Sequence, residues 1–154
     1  MVKMKSTEKL SSSLTGVVGE YFVAAELSRM GHIASITLRN TRGVDILCSN
    51  SDASKHVSIQ VKTSKESGNT WILNKKSEEY FSPNHFYVFV TLSGKEQPKF
   101  FIVPSKIVAN HTKSSHQKWM KAKSKTGKKH KDSSMRKFWD PEERYLNRWD
   151  LLKL

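Results

Sequence analysis

Residues 43–63 read Gly43-Val44-Asp45-Ile46-Leu47-Cys48-Ser49, then a polar stretch from Asn50 to Lys55, then His56-Val57-Ser58-Ile59-Gln60-Val61-Lys62-Thr63. Two short apolar runs flank a turn-rich segment, which is the pattern of a β-hairpin. In the second run Val57, Ile59 and Val61 alternate with Ser58, Gln60 and Lys62. A strand of this kind buries the first set and leaves Gln60 and Lys62 together on the opposite face. If the loop is centred between Asp52 and Ala53, Asp45 stands directly across from Gln60. Opposed residues on one face have Cβ atoms about 4.5–5.5 Å apart. A register shift of two brings Asp45 opposite Lys62 instead. A shift of one would turn the apolar set outward and is disfavoured.

The segments around this hairpin complete a mixed α/β pattern. Ser11 to Met30 reads as a helix, because Leu14, Val17, Val18, Tyr21, Phe22 and Ala25 recur at spacings of three and four, and Gly31 is a natural stop. Gly16 and Gly19 are costly inside a helix, and suit a place where another backbone or a ligand comes close. A strand is expected over His32–Leu38 and a turn over Asn40–Gly43. Beyond the hairpin, a short strand is expected over Trp71–Leu73 and a helical turn near Ser77–Phe81. Phe86–Leu92 suits a buried central strand and Lys99–Val103 its return, with a short helix opened by Pro104 and running to Ala109.

Composition sets the limits. The chain has 154 residues, enough for one domain, and 36% apolar residues, below the usual ~45–50%. Its formal net charge is +13, which makes the surface attractive to polyanions without specifying a fold. No stretch reaches the ~18 apolar residues of a membrane span. The basic start Met1–Lys5 is not followed by the apolar region of a signal peptide, so a cytoplasmic location is expected. Cys48 is the single cysteine and is read as a small core residue. The six histidines do not cluster, and no zinc ligand set accompanies them.

Residues 1–110 are read as the core. Residues 111–154 are read as a basic arm and docking segment of the same domain. Between His111 and Lys137 there are ten Lys or Arg residues against Asp132 alone, which is +9 of the total +13. Lys118, Lys121, Lys123, Lys125, Lys128 and Lys129 are expected to track a phosphate backbone, and Trp119 to stack on an unpaired base. The plainer reading is a solvated basic loop that Trp119 anchors to the core. The apolar end, with Trp149, Leu151, Leu152 and Leu154, is read as a latch onto the chain's own sheet, with a dimer contact as the alternative.

A carboxylate, an amide and an ammonium at one spot suit metal-assisted phosphodiester cleavage. Asp45 would be the main ligand for Mg²⁺ or Mn²⁺, the Gln60 side-chain oxygen a second and the Val61 carbonyl a third. Such a cation acidifies water and neutralises phosphate charge. Lys62 would orient the attacking water and stabilise developing negative charge. Glu20 would add a second carboxylate if the first helix packs beside the strands. Arg39 and Arg42, flanking the turn before Asp45, and Ser64 and Lys65, just past Lys62, are further candidates for phosphate contact. An Asp–Lys pair across a hairpin is also a common surface ion pair worth about 0–1 kcal/mol, so geometry alone leaves both readings open.

Gly43-Val44-Asp45-Ile46-Leu47, Ile59-Gln60-Val61-Lys62-Thr63 and the preceding Gly16-Val17-Val18-Gly19-Glu20 together resemble the PD-(D/E)xK nuclease superfamily. In size and order they are most similar to its small Holliday-junction-resolvase-like and orphan members. The resemblance spans about Leu14 to Val103. It implies a restriction-endonuclease-like αβββαβ core, a central mixed sheet flanked by helices, here with a basic C-terminal extension. It implies a metal-dependent endonuclease, a hydrolase acting on DNA with RNA not excluded, and a homodimer presenting two sites. The acid–acid–lysine set falls on Asp45, Gln60 and Lys62, and the helix glutamate on Glu20. Val44 replaces the name-giving proline, and Gln60 replaces the second acid, which removes a negative charge from the site. The alternatives are a nucleic-acid-binding module of the same fold with a weakened metal site, and an interaction protein whose basic arm grips an acidic partner.

Overall fold

Alternation in β3, His56–Ser64, organises the molecule. Val57, Ile59 and Val61 are buried, while Ser58, Gln60 and Lys62 on the other face are half-buried. The computed structural model describes residues 10–38, 42–94 and 96–154. Arg39 and most of the expected turn before Gly43 lie outside the described residues.

β2, Ile46–Ser49, pairs antiparallel with β3, setting Ile46 opposite Ile59 and Ser49 opposite His56. This is the register of a loop centred between Asp52 and Ala53. β1, Ile33–Ile36, adds antiparallel to β2 as the edge. On the other side β3 runs parallel to β5, His85–Thr91, every residue of which is buried. β6, Lys99–Pro104, closes the five-stranded mixed sheet in the order β1-β2-β3-β5-β6. The crossover from β3 to β5 runs through β4, Thr70–Asn74, and a 3-10 turn at Lys75–Glu78 instead of an α-helix.

Each face of the sheet has its own cover. α1, Ser12–Arg29, lies on the face of Val57, Ile59 and Val61, over an aliphatic core that includes Val23, Leu27, Ile46, Cys48, Val88, Val90 and Ile102. The Ser11 hydroxyl caps α1 by accepting the Leu14 N–H at 3.2 Å. α1 buries Thr15, Gly19, Val23 and Leu27. The large residues whose spacing reveals the helix point elsewhere: Leu14, Tyr21 and Phe22 are 48%, 65% and 40% exposed. Small residues face the sheet because the helix backbone approaches it closely.

The other face carries an aromatic core. Trp71, Tyr87, Phe89, Phe101 and Phe138 pack there with Val103 and Val108. Trp71 donates its indole N–H to the Val90 carbonyl at 2.9 Å. β4 pairs with β7, Met135–Trp139, in a separate two-stranded sheet over this core. α2, Ser105–Lys121, flanks it. The helix expected to end near Ala109 therefore runs twelve residues further, and the stretch read as a basic loop is helix to Lys121, loop over residues 122–134, and strand from Met135. Thr112, four residues beyond Val108, is buried beside it and donates its hydroxyl to the Val108 carbonyl at 2.9 Å, so the apolar stripe continues through a satisfied polar residue.

The tail is a latch. Ile102 donates to the Tyr145 carbonyl at 3.0 Å, and Asn147 to Phe100 at 2.8 Å. Leu152 is buried in the aliphatic core, and Trp149 meets the Phe100 ring at 5.6 Å. Buried Asp140 turns the chain into this tail by accepting the backbone N–H groups of Arg144 and Tyr145 at 3.1 and 2.9 Å.

Candidate active site

β2 and β3 part at Asp45. The Asp45 N–H donates to the Ile59 carbonyl at 2.8 Å, and its carbonyl accepts the Thr37 N–H at 2.9 Å. One step further along, the Val61 N–H finds a side chain instead of a backbone partner: the Asp45 carboxylate accepts it through Oδ2 at 2.7 Å. A carboxylate thus replaces a rung of the ladder, which fixes its direction. Because N–H and C=O of one residue leave a strand on the same edge, the Val61 carbonyl lies on the edge that Asp45 occupies. Burial pushes the Asp45 carboxyl above its ordinary range, opposed by the Val61 hydrogen bond and the positive charge of Lys62.

Gln60 and Lys62 share the face of Asp45, since Ile46, Ile59 and Val61 occupy the other. On β5 their lateral neighbours are Tyr87 and Phe89. The second layer covers this face over β5 and β6, but Leu47 on β2 remains 54% exposed. The three candidate residues therefore sit where the cover stops, on half-open sheet.

Two glycines shape the surroundings. A Cβ on Gly19 would lie 1.9 Å from Thr63 Oγ1, so α1 touches β3 at the residue after Lys62. Glu20 follows directly, half-buried, beside this end of the strand. Gly43 has φ +62°, and a Cβ there would meet the Tyr80 ring at 2.7 Å. Tyr80 also donates its hydroxyl to the Arg42 carbonyl at 3.2 Å. The turn leading into Asp45 is thus braced from the crossover.

Tyr87 is a member of this site that sequence reasoning missed. Its hydroxyl is pushed up to about 12, first by burial and then by Tyr80 and the Asp45 carboxylate. It stays protonated and can only donate or accept a hydrogen bond as a neutral group. The run Phe86–Leu92 signals a strand, but only the parallel register with β3 places Tyr87 beside Gln60. His85, also unanticipated, is buried next to Tyr80 and Tyr87, with Nδ1 2.8 Å from the Ser58 hydroxyl.

The remaining candidates divide. Arg42 is exposed at the turn beside the site. Ser64 accepts the Glu66 N–H at 3.1 Å, and Lys65 donates to the Leu10 carbonyl at 2.7 Å, so both serve local structure. Lys118, Trp119 and Lys121 lie on the last turn of α2. Lys123, Lys125, Lys128 and Lys129 are exposed on the loop that follows, where Lys123 bridges Lys129 and Ser124 donates to the Lys128 carbonyl at 3.0 Å. This patch is built on α2, which packs on the 3-10 turn, β5, β6 and β7, and forms a separate surface from Asp45.

The donor set fits a hard cation. Asp45 offers a carboxylate whose charge burial disfavours, and Gln60 and Val61 offer neutral oxygens, the ligand type of Mg²⁺ or Mn²⁺. Among the described residues no group of three His, Cys, Asp or Glu is gathered for a metal. A cation here would lean on fewer than three such side chains, with neutral oxygens and water completing its shell.

No protein-family model matches the chain, and no curated protein matches it in sequence. Solved structures do match. A bacterial homing endonuclease superposes with a TM-score of 0.54 over 94% of each chain, at 14% identity. A Holliday junction resolvase from the archaeal hyperthermophile Archaeoglobus fulgidus superposes with a TM-score of 0.50, over 85% of this chain and 88% of its own, also at 14% identity. Both have the restriction-endonuclease-like fold of the PD-(D/E)xK proteins, and so does this chain. Among the described residues no helix is long and apolar enough to cross a membrane.

Proposed function

We propose that the chain is a divalent-metal-dependent nuclease that hydrolyses phosphodiester bonds in DNA, with structure-selective or weakly sequence-specific cleavage. The observation that carries this reading is the Asp45 carboxylate held by the Val61 N–H at 2.7 Å on half-open sheet, with Gln60 and Lys62 on the same face. A fold shared with two DNA nucleases supports it, as does a net charge of +13.

In this reading Asp45, Gln60 and Val61 hold Mg²⁺ or Mn²⁺, and Glu20 adds a carboxylate from α1. The bound cation supplies Lewis-acid polarisation of the phosphate and acidifies water. Lys62 donates hydrogen bonds to the attacking water and stabilises negative charge growing on the phosphate oxygens. Tyr87 remains protonated and acts as a hydrogen-bond donor from the floor of the site. Arg42 and the α2 lysines attract the strand. Two copies of the chain would present two sites to two strands.

A second reading has its own support. With Gln60 in place of an acid, and no gathered acidic trio among the described residues, the chain would be a nucleic-acid-binding module with little or no activity. The two separate on one experiment: supercoiled plasmid, single-stranded DNA and a four-way junction are incubated with Mg²⁺, Mn²⁺ or EDTA. The nuclease reading expects metal-dependent cutting that Asp45→Asn and Lys62→Ala remove. Binding without cutting supports the module, and Gln60→Glu is then tested for gain of activity. Failure to bind DNA at low salt points to an acidic protein partner for the basic arm.

A further inference from the structure

A cavity of about 250 Å³ opens between the C-terminal half of α2 and the outer face of β7, and its walls include Ser115, His116, Trp119, Met135, Lys137 and Trp139. It shares no residue with the Asp45 site. Strand alternation builds one wall: Arg136 and Phe138 turn into the protein, leaving Met135, Lys137 and Trp139 outward. Helical spacing builds the other, since His111, Ser115 and Trp119 are four residues apart and form one stripe.

The two ends are indoles. Trp139 packs edge-on against His111 at 4.3 Å and 78°, and Trp119 stacks on His130 at 4.1 Å and 25°. Both are held in place and yet 41% and 42% exposed. His116, whose Nε2 lies 2.8 Å from Asp132 Oδ1, ties down the far end of the loop that carries His130. The slot is thus rigid, aromatic and open.

Its size and its rim identify the ligand. At about 250 Å³ it falls just under the roughly 300–1,000 Å³ of sites for drug-sized ligands, which suits a single planar ring system. Arg136 contributes no charge outward, because its guanidinium is paired with Glu78 and donates to the Ser133 and Met135 carbonyls. Positive charge comes from Lys137 in the wall, from Lys118 and Lys121 on the same helical turn as Trp119, and from the exposed Lys128, Lys129 and Lys131 around His130 in the chain. An apolar slot between indoles, with a lysine in its wall and exposed lysines on the adjoining chain, matches a ring that carries phosphates on either side. Stacking on aromatic side chains accepts any base, and lysines neutralise the backbone.

We infer that the α2–β7 slot binds one unpaired nucleobase of the strand presented to the Asp45 site, so that the protein selects nucleic acid with extrahelical or single-stranded bases. This rests on the nucleic-acid reading above and names the feature of the substrate that is recognised.

The test measures binding by fluorescence polarisation in EDTA. The probes are a fully paired duplex and the same duplex with one bulged nucleotide. The wild type is expected to prefer the bulged probe. Trp119→Leu should weaken binding to it by roughly tenfold to a hundredfold, the share of one stacked base, while binding to the paired duplex holds. Trp119→Phe should keep most of the preference. Ser115→Leu, which fills the slot without removing a core side chain, should abolish it. Lys128→Gln with Lys129→Gln should weaken both probes alike. If Trp119→Leu and Ser115→Leu leave the preference intact, or lower both probes equally, the slot is not a base site although the nucleic-acid reading stands. If the wild type binds neither probe, both readings fall.

Discussion

The second face of the five-stranded sheet has two halves that differ in kind. Over β5 and β6 it is sealed: Tyr87, Phe89 and Phe101 lie under Trp71 and Phe138, and the Phe89 and Phe138 rings stack at 4.6 Å and 4°. Over β2 and β3 the cover stops, and the same face carries Asp45, Gln60, Lys62 and the exposed Leu47. One half is filled by packed aromatic rings and contributes stability. The other holds a carboxylate that burial has pushed away from its charged form, which costs stability unless a cation arrives. A carboxyl shifted by burial at the boundary of a well-packed layer is a candidate functional group.

This contrast is sharpest in the Asp45→Asn protein. Cleavage should fall by about a thousandfold or more, and Lys62→Ala should cost roughly a hundred- to a thousandfold in rate. Stability should behave in the opposite sense. A carboxyl with a raised folded pKa favours the fold fully below its unfolded pKa, and that contribution is lost as pH rises through the folded pKa. At neutral pH the charged Asp45 is therefore a burden that asparagine removes, while the amide oxygen still accepts the Val61 N–H. A thermal melt at neutral pH should show an unchanged or higher Tm. A clear fall in Tm would make Asp45 a structural residue.

The sealed half should respond in the reverse way. Trp71→Ala removes a buried indole from the centre of the aromatic core and leaves the Val90 carbonyl without its donor. The expected cost is about 3–5 kcal/mol in denaturant unfolding, with the activity of the folded fraction little changed. A loss of activity without loss of stability would mean that the two halves are coupled more tightly than their packing suggests.

Most of this division is legible in the sequence, and the exceptions have physical causes. Alternation in Val57–Lys62 gives the face, and the position of the loop gives the register. Tyr87 is hidden because a strand buried on both faces carries no periodicity to tell them apart. The length of α2 is hidden because its second half, from Asn110 to Lys121, is polar on most sides, and its contacts come from elsewhere in the chain: Thr112 with Ser77, His111 with Phe138 and Trp139, and Trp119 with His130. The Lys-rich stretch reads as a basic arm or loop by composition, but β4 supplies a partner for Met135–Trp139. The buried face of α1 is hidden for a simpler reason: Thr15 and Gly19 have little hydrophobic signal.

On the opposite face of the sheet, behind the open half, α1 touches β3. Gly19→Ala places a methyl 1.9 Å from Thr63 Oγ1 and 3.0 Å from its Cβ, so the helix or the Thr63 side chain must shift. The expected loss is about 1–3 kcal/mol, the usual cost of overpacking. Activity should fall with it, because Glu20 moves with the helix. Thr63→Ala in the same chain should recover part of both losses, and a double-mutant cycle reads that coupling. Additive losses would show that α1 can shift without disturbing the end of β3.

The smallest effect is expected where the sequence pattern looks most like a core. Tyr21 and Phe22 belong to the stripe that marks α1 as a helix, yet they are 65% and 40% exposed, and the aliphatic core beneath is closed by Val23 and Leu27. Tyr21→Ser should change stability by no more than about 0.5 kcal/mol, as for other surface positions, whereas Leu27→Ala should cost about 2–5 kcal/mol. Both are read from denaturant unfolding at low protein concentration. If Tyr21→Ser proves as costly as Leu27→Ala, and the cost grows with protein concentration, the outer face of α1 is buried against a second copy, and the fold's stability includes that contact.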